Sequence, residues 1–171
     1  KKQLLPVKDG ALGLRQSDAV FSHVKQLAPL LEELLDQAYP ICGVGVSTRP
    51  RDQEGSYMPC FLVGDVVASS VAAALGVPKY PVSHQAGHVM AALYSTGQIP
   101  LYREPFIAFH LSGGTTDCLL CQPDETYTLG ITILATSSDL KAGQAVDRVG
   151  GMLGLPFPAG PTLEQLALAS T

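Results

Sequence analysis

The chain is predicted to fold as an α/β domain in which a mixed sheet is flanked by helices. Three observations carry that reading. Apolar residues recur at helical spacing through residues 15–38, and short apolar runs of strand length punctuate the rest. Two of those runs flank a Ser-Gly-Gly turn, so strands and helices alternate along one chain. At 171 residues the chain is long enough to bury a core as one domain, 1–171.

The elements follow in order. Within 15–38, Val20, Phe21, Val24, Leu27, Leu30, Leu31, Leu34 and Leu35 mark one face of a helix, capped by Ser17 or Asp18 and interrupted by Pro29. Residues 41–46 form a short apolar run suited to a buried strand. Residues 47–56 are polar and rich in breakers, and 61–75 are small and apolar, closing at Gly76 as a packed helix does. A brief strand at 79–82 leads directly into a helix that carries two histidines. Residues 105–111 and 116–121 read as a hairpin around Ser112-Gly113-Gly114, and 126–135 as a further strand. A helix over 141–153, with Asp139 as its N-cap, ends in the proline-rich segment 155–161. An amphipathic piece over 162–168 completes the series.

Bulk properties narrow the function classes. Charged residues make up only 15% of the chain and mean hydropathy is positive, which argues against disorder. No apolar run approaches the roughly 18 residues that would span a bilayer, so no membrane role is expected. The start of the chain lacks the apolar stretch of a signal peptide. A net charge of −4 gives no general electrostatic attraction to nucleic acid, so an RNA contact needs a local patch, another domain or a partner. Cys42, Cys60, Cys118 and Cys121 resemble a cytosolic set more than a disulfide framework, and a cytoplasmic protein is expected. Cys118 and Cys121 have the spacing of a redox or zinc motif but lie on a strand-like run, where positions three apart point to opposite faces. Buried, unlinked thiols are the favoured reading.

Several residue groups carry chemistry. In His84-Gln85-Ala86-Gly87-His88 two imidazoles one helical turn apart can grip a divalent ion, or can be ordinary polar helix residues. A zinc protease of the His-Glu-x-x-His type needs a glutamate where Gln85 stands, so metal-assisted peptide hydrolysis is disfavoured. The Ser112-Gly113-Gly114 turn offers bare backbone N–H groups to a phosphate, or is simply a hairpin tip. His110 precedes it and is favoured as a strand residue packed on a neighbour. Asp147 either pairs with Arg148 at the surface or accepts ribose hydroxyls, and Gly160 either lets a backbone approach a base or makes a turn. Arg49 and Arg51 concentrate positive charge in the 47–56 loop, which is read as solvated in preference to a phosphate or RNA contact. Metal, phosphate and sugar ligands in that order describe a nucleotide-handling cleft.

Together and in this order, these segments resemble the tRNA threonylcarbamoyl-transferase family (TsaD in bacteria), formerly labelled O-sialoglycoprotein endopeptidases. The resemblance runs from Gln16-Ser17-Asp18-Ala19-Val20-Phe21-Ser22-His23 through Ser83-His84-Gln85-Ala86-Gly87-His88 and Leu111-Ser112-Gly113-Gly114-Thr115. It continues in Asp139-Leu140-Lys141-Ala142-Gly143-Gln144-Ala145-Val146-Asp147 and in residues 153–161. It implies an actin-like, ribonuclease-H-like fold of two lobes, of which this chain is a partial domain holding most of one lobe. The family's opening strand pair and second lobe, with a further metal-binding aspartate and a ribose-contacting asparagine, are expected to lie outside it. By the resemblance His84 and His88 are metal ligands, for iron or zinc. His110, Leu111, Ser112, Gly113 and Gly114 cradle the phosphate and acyl portion of an adenylate substrate, and Asp147 and Gly160 meet its ribose and adenine. The implied reaction moves a threonylcarbamoyl group from an adenylate to an adenosine beside the tRNA anticodon, within a larger complex with related actin-like proteins.

The chain also departs from the family pattern. Ala86 stands where the family has glutamate, Thr115 where it has histidine, and Gln144 and Val146 replace glutamate and phenylalanine. Ala159 replaces glycine, and residues 49–59 replace a short Gly-Pro-Gly segment. These departures are those of a divergent paralog, so a catalytically silent, nucleotide-binding scaffold is the alternative expectation. A metalloprotease and a small-molecule kinase on the same fold are further, weaker alternatives.

Overall fold

A computed structural model describes residues 3, 5, 14–35, 39–125 and 129–170. The described residues up to Ala92, with Glu125, make one compact unit, and those from Leu93 to Asp124 and from 129 to 170 make another.

The first unit is built on a parallel pair of strands joined by a helix. β1 (Val44–Arg49) and β2 (Lys79–Ser83) run parallel, with Val44 opposite Lys79 and an irregularity between Ser47 and Arg49. α2 (Pro59–Leu75) connects them, as a parallel pair requires, and packs mainly on β1. Its start follows from Pro59 at a position whose N–H has no helical partner. Its end follows from Gly76, whose φ of 66° is the left-handed cap that residues with a β-carbon resist. α1 (Gln16–Leu35) packs against α2.

Two expectations shift here. The Arg15 carbonyl accepts the first bond of α1, from the Ala19 N–H at 2.9 Å, so Ser17 and Asp18 lie in its first turn and do not cap it. Asp18 there still suits the positive end of the helix dipole. The far end of the expected helix, 36–38, lies outside the described residues. The first strand begins three residues later than its apolar run suggests, because pairing with β2 selects 44–49, while Ile41 and Cys42 are exposed.

β2 leads without a gap into α3 (His84–Ser95). The Ser83 hydroxyl, in a residue 1% exposed, accepts the Ala86 N–H at 3.0 Å and so caps this helix.

The second unit centres on an antiparallel meander of order β3-β4-β5: β3 (Phe106–Leu111), β4 (Thr116–Gln122) and β5 (Gly130–Thr136). The hairpin turns at Ser112–Gly114, as its sequence predicts. Residues 126–128, the start of the expected third strand, lie outside the described residues. Leu119 and Cys121 on the central strand are fully buried, with Leu129 and Ile131 beside them, and form its core. Cys118 is only half-buried, opposite Phe109, whereas Cys121 faces Phe106 on the other side of the sheet, as strand alternation requires. All four cysteines are free. Burial pushes the Cys121 thiol up from 9.0 to about 11, because the apolar core disfavours the thiolate. At pH 8 a thiol reagent is therefore expected to label the exposed Cys42 and spare Cys121 until the protein is denatured, as peptide mass mapping would show. Labelling of Cys121 at the rate of Cys42 would contradict this.

α4 (Ala142–Met152) and α5 (Gly160–Ala169) complete the unit and pack together. Among the described residues no helix is long and apolar enough to cross a membrane.

Candidate functional site

The histidine pair sits where the two parallel strands end. β2 delivers the chain into α3, and His84 is the first residue of that helix. The helical repeat places His88 directly above it. Both residues are exposed, yet their rings are ordered on one another. The centroids lie 4.4 Å apart at an interplanar angle of 73°, and the two Nε2 atoms approach to 3.0 Å. At metal–nitrogen distances of about 2.0–2.1 Å, two nitrogens so placed fit as adjacent ligands of one ion. Without an ion, one ring's N–H can donate to the other. Among the described residues no group of three or more His, Cys, Asp or Glu could hold a metal, so an ion at the pair would need further ligands from beyond these residues. Gln85, the position a zinc protease fills with its base, is 2% exposed and turned into the core.

The loop beside the pair is not the solvated rim that its composition suggests. Arg49 and Arg51 are half-buried. Arg49 donates to Asp52 at 2.5 Å, with side-chain exposures of 22% and 13%, and the Arg51 N–H is held by the Ser56 hydroxyl at 2.9 Å. The Pro50 carbonyl accepts the Gln85 N–H at 3.1 Å, so the loop is bonded to the first turn of the histidine helix. Polar composition hid this, because Arg49 pairs with Asp52 inside the loop.

In the second unit, the Ser-Gly-Gly turn and the start of α4 close on each other. The Ser112 Oγ accepts the N–H groups of Gly114 at 3.2 Å and Thr115 at 2.9 Å, and lies 2.6 Å from the Thr115 hydroxyl. These donors are thus held by the turn's own serine, a local bond that Ser readily makes, and are not bare as the sequence suggests. α4 docks on the same turn. The Thr116 hydroxyl accepts the Ala142 N–H at 2.7 Å, and the Ser112 carbonyl accepts the Gly143 N–H at 3.0 Å. The helix is therefore capped across space. Lys141 is its N-cap residue and Asp139 is not, since its first donors are taken by the hairpin. A β-carbon on Gly143 would stand 2.6 Å from the Gly113 nitrogen, so only glycine permits this approach.

α4 joins the remaining candidates. Asp147 lies one turn beyond Gly143 on the same face, and its Oδ1 accepts the Ala159 N–H at 2.9 Å. That bond, not the expected surface pair with Arg148, fixes the carboxylate. Gly160 opens α5, 3.9 Å from Val146 as judged from an added β-carbon. Ser112–Gly114, Asp147 and Gly160 are thus brought together along one helix. Truncating Asp147 to alanine is expected to lower the melting midpoint by about 2–8 °C, from roughly 1–2 kcal/mol for a charge-assisted bond. Asp147→Asn, which keeps an acceptor, is expected to recover most of it; equal losses for both would count against the bond.

His110 stands directly opposite Asp117 on β4, on the face away from Leu111. Asp117 is 1% exposed and accepts the Thr136 hydroxyl at 2.7 Å. No local rule marked Gly143 as the residue whose missing side chain lets α4 approach the turn; the Ser83 cap was readable from the ordinary rule for helix starts.

Comparison with known proteins points to one family. The sequence model of the TsaD family, tRNA N6-adenosine threonylcarbamoyltransferase, matches residues 13–170. A Chlorobium chlorochromatii protein of that name is 38% identical over 107 residues, 62% of this chain and 29% of its own length. Proteins of the same name from Magnetococcus marinus and Lactiplantibacillus plantarum are each 31% identical, over 85% and 86% of this chain and 40% of their own lengths. The chain thus spans less than half the length of these relatives.

Proposed function

Because this chain belongs to the TsaD, tRNA N6-adenosine threonylcarbamoyltransferase, family, we propose that the whole protein transfers a threonylcarbamoyl group from an adenylate to the exocyclic amine of an adenosine beside the tRNA anticodon. The observation that carries this reading is the convergence of the His84 and His88 Nε2 atoms to 3.0 Å at the ends of two parallel strands. Ligands in such sheets gather at the carboxyl ends of the strands. In this reading His84 and His88 hold iron or zinc. A divalent ion there supplies Lewis-acid polarisation of a carbonyl or phosphoryl oxygen. The Ser112–Gly114 turn and the start of α4 orient the adenylate phosphate, with His110 and Leu111 on the strand leading in. Asp147 and Gly160 take its ribose and base. The protein works in the cytoplasm, on tRNA held by a larger complex with related actin-like proteins.

A second reading has an observation of its own. The turn's donors at Gly114 and Thr115 are bonded to Ser112, so a phosphate would have to displace that hydroxyl. A closed turn suits a catalytically silent scaffold that binds nucleotide weakly or not at all.

The experiment is threonylcarbamoyladenosine measured in tRNA by nucleoside mass spectrometry. The host is a cell depleted of its own enzyme and supplied with the complete reading frame. Restored modification that a His84→Ala, His88→Ala variant loses supports the transferase. A folded protein that restores none leaves the scaffold.

A further inference from the structure

We propose that Phe61 is a positioning residue that holds the His84 ring in the orientation needed to share an ion with His88. The inference rests on reading the histidines as ligands and adds a residue that neither motif nor spacing marks. Phe61 lies in the first turn of α2, where its N–H donates to the Met58 carbonyl at 3.1 Å. Its ring centroid is 5.5 Å from that of His84, at an interplanar angle of 60°. His88 lies 4.4 Å from it at 73°. The first imidazole thus contacts two rings, although it is exposed and begins its helix.

An exposed histidine has three staggered settings of its first torsion and a broad second one. Only a few of these aim its Nε2 at His88. An aromatic wall on one side removes settings that aim it elsewhere, before any ion arrives, and so reduces what binding must order. The wall is held independently of the histidine helix. α2 packs on β1, β1 pairs with β2, and β2 runs straight into His84, so Phe61 and His84 keep their separation through the sheet. Coordination also withdraws electrons from the imidazole, which strengthens its contact with an aromatic ring, as for other cations near such rings.

Losing a tilted aromatic pair corresponds to about a three- to tenfold change in an equilibrium constant. Zn²⁺ titration of the full chain is the test, paired with ¹H NMR of the histidine rings in metal-free protein. Phe61→Ala is expected to weaken Zn²⁺ binding about three- to tenfold and to shift the His84 ring signals, which lose the ring current of Phe61. Phe61→Tyr is expected to restore both, and Phe61→Leu, which keeps bulk and folding, to restore affinity only in part. Unchanged affinity and unchanged ring signals in Phe61→Ala and Phe61→Leu would overturn the proposal. If wild type binds Zn²⁺ no better than His84→Ala, His88→Ala, the ligand reading has failed. The metal-free NMR then still decides whether Phe61 orders the ring.

Discussion

Zinc or iron(II) affinity is expected to fall at least about a hundredfold when either His84 or His88 becomes alanine. Removing the hydrogen-bond partner of a ligand already costs 10–100-fold, so removing one of the two proposed ligands should cost more. The substitutions are well suited to the question because both rings are exposed. Neither leaves a cavity in the core, and surface changes of this kind ordinarily move stability by less than about 0.5 kcal/mol. Calorimetric titration gives the affinities directly. A second reading comes from linkage. An ion held by the native protein at a hundred times its dissociation constant stabilises it by about 2.7 kcal/mol, so zinc should raise the melting midpoint of wild type and not of the variants. Equal midpoint shifts in wild type and His84→Ala would place the ion elsewhere, and the leading functional reading would lose its central observation.

Much of this arrangement was legible because it is local. Gly76 ends α2 as written, the strands at 106–111 and 116–122 meet at the expected turn, and His84 and His88 share a helical face because four residues make about one turn. What the sequence hid is what long-range contact decides. β1 begins at Val44 and not at Ile41 because β2 chooses its partner residues. Asp139 looked like a cap, yet the donors at the start of α4 go to Thr116 and Ser112, more than twenty residues earlier. Asp147 looked paired with its neighbour Arg148, but it reaches Ala159 across a proline-rich bend. The glycine turn looked open because composition shows which backbone groups can face a ligand and not which are already taken by Ser112. For the strand start, the helix cap and Asp147 a partner from another element decided the outcome; in the turn the competitor was local, its own serine.

The same competition makes Gly143→Ala a sharp test of the candidate nucleotide site, because propensity and packing predict opposite signs. In a helix interior alanine is favoured over glycine by about 1 kcal/mol. At Gly143, however, the added carbon would stand 2.6 Å from the Gly113 nitrogen and 2.8 Å from both the Gly113 Cα and the Ser112 carbonyl carbon. These are backbone atoms of a hydrogen-bonded turn and cannot swing aside as a side chain would. The start of α4 must therefore move off the hairpin, loosening the bonds from Ala142 to Thr116 and from Gly143 to Ser112. Two such bonds at about 1 kcal/mol each, with an overpacking strain of about 1–3 kcal/mol, outweigh the propensity gain. The expected net loss is about 2–4 kcal/mol, with a melting midpoint lower by roughly 4–16 °C. Gly151→Ala is the internal control, since it lies in the same helix with nothing within 4 Å of the added carbon, and it should be neutral or slightly stabilising. If the turn and helix start also receive the adenylate phosphate, Gly143→Ala weakens adenylate binding while Gly151→Ala leaves it unchanged. A stabilised Gly143→Ala protein would show that α4 does not rest on the turn, and the grouping of Ser112–Gly114 with Asp147 and Gly160 would fall with it.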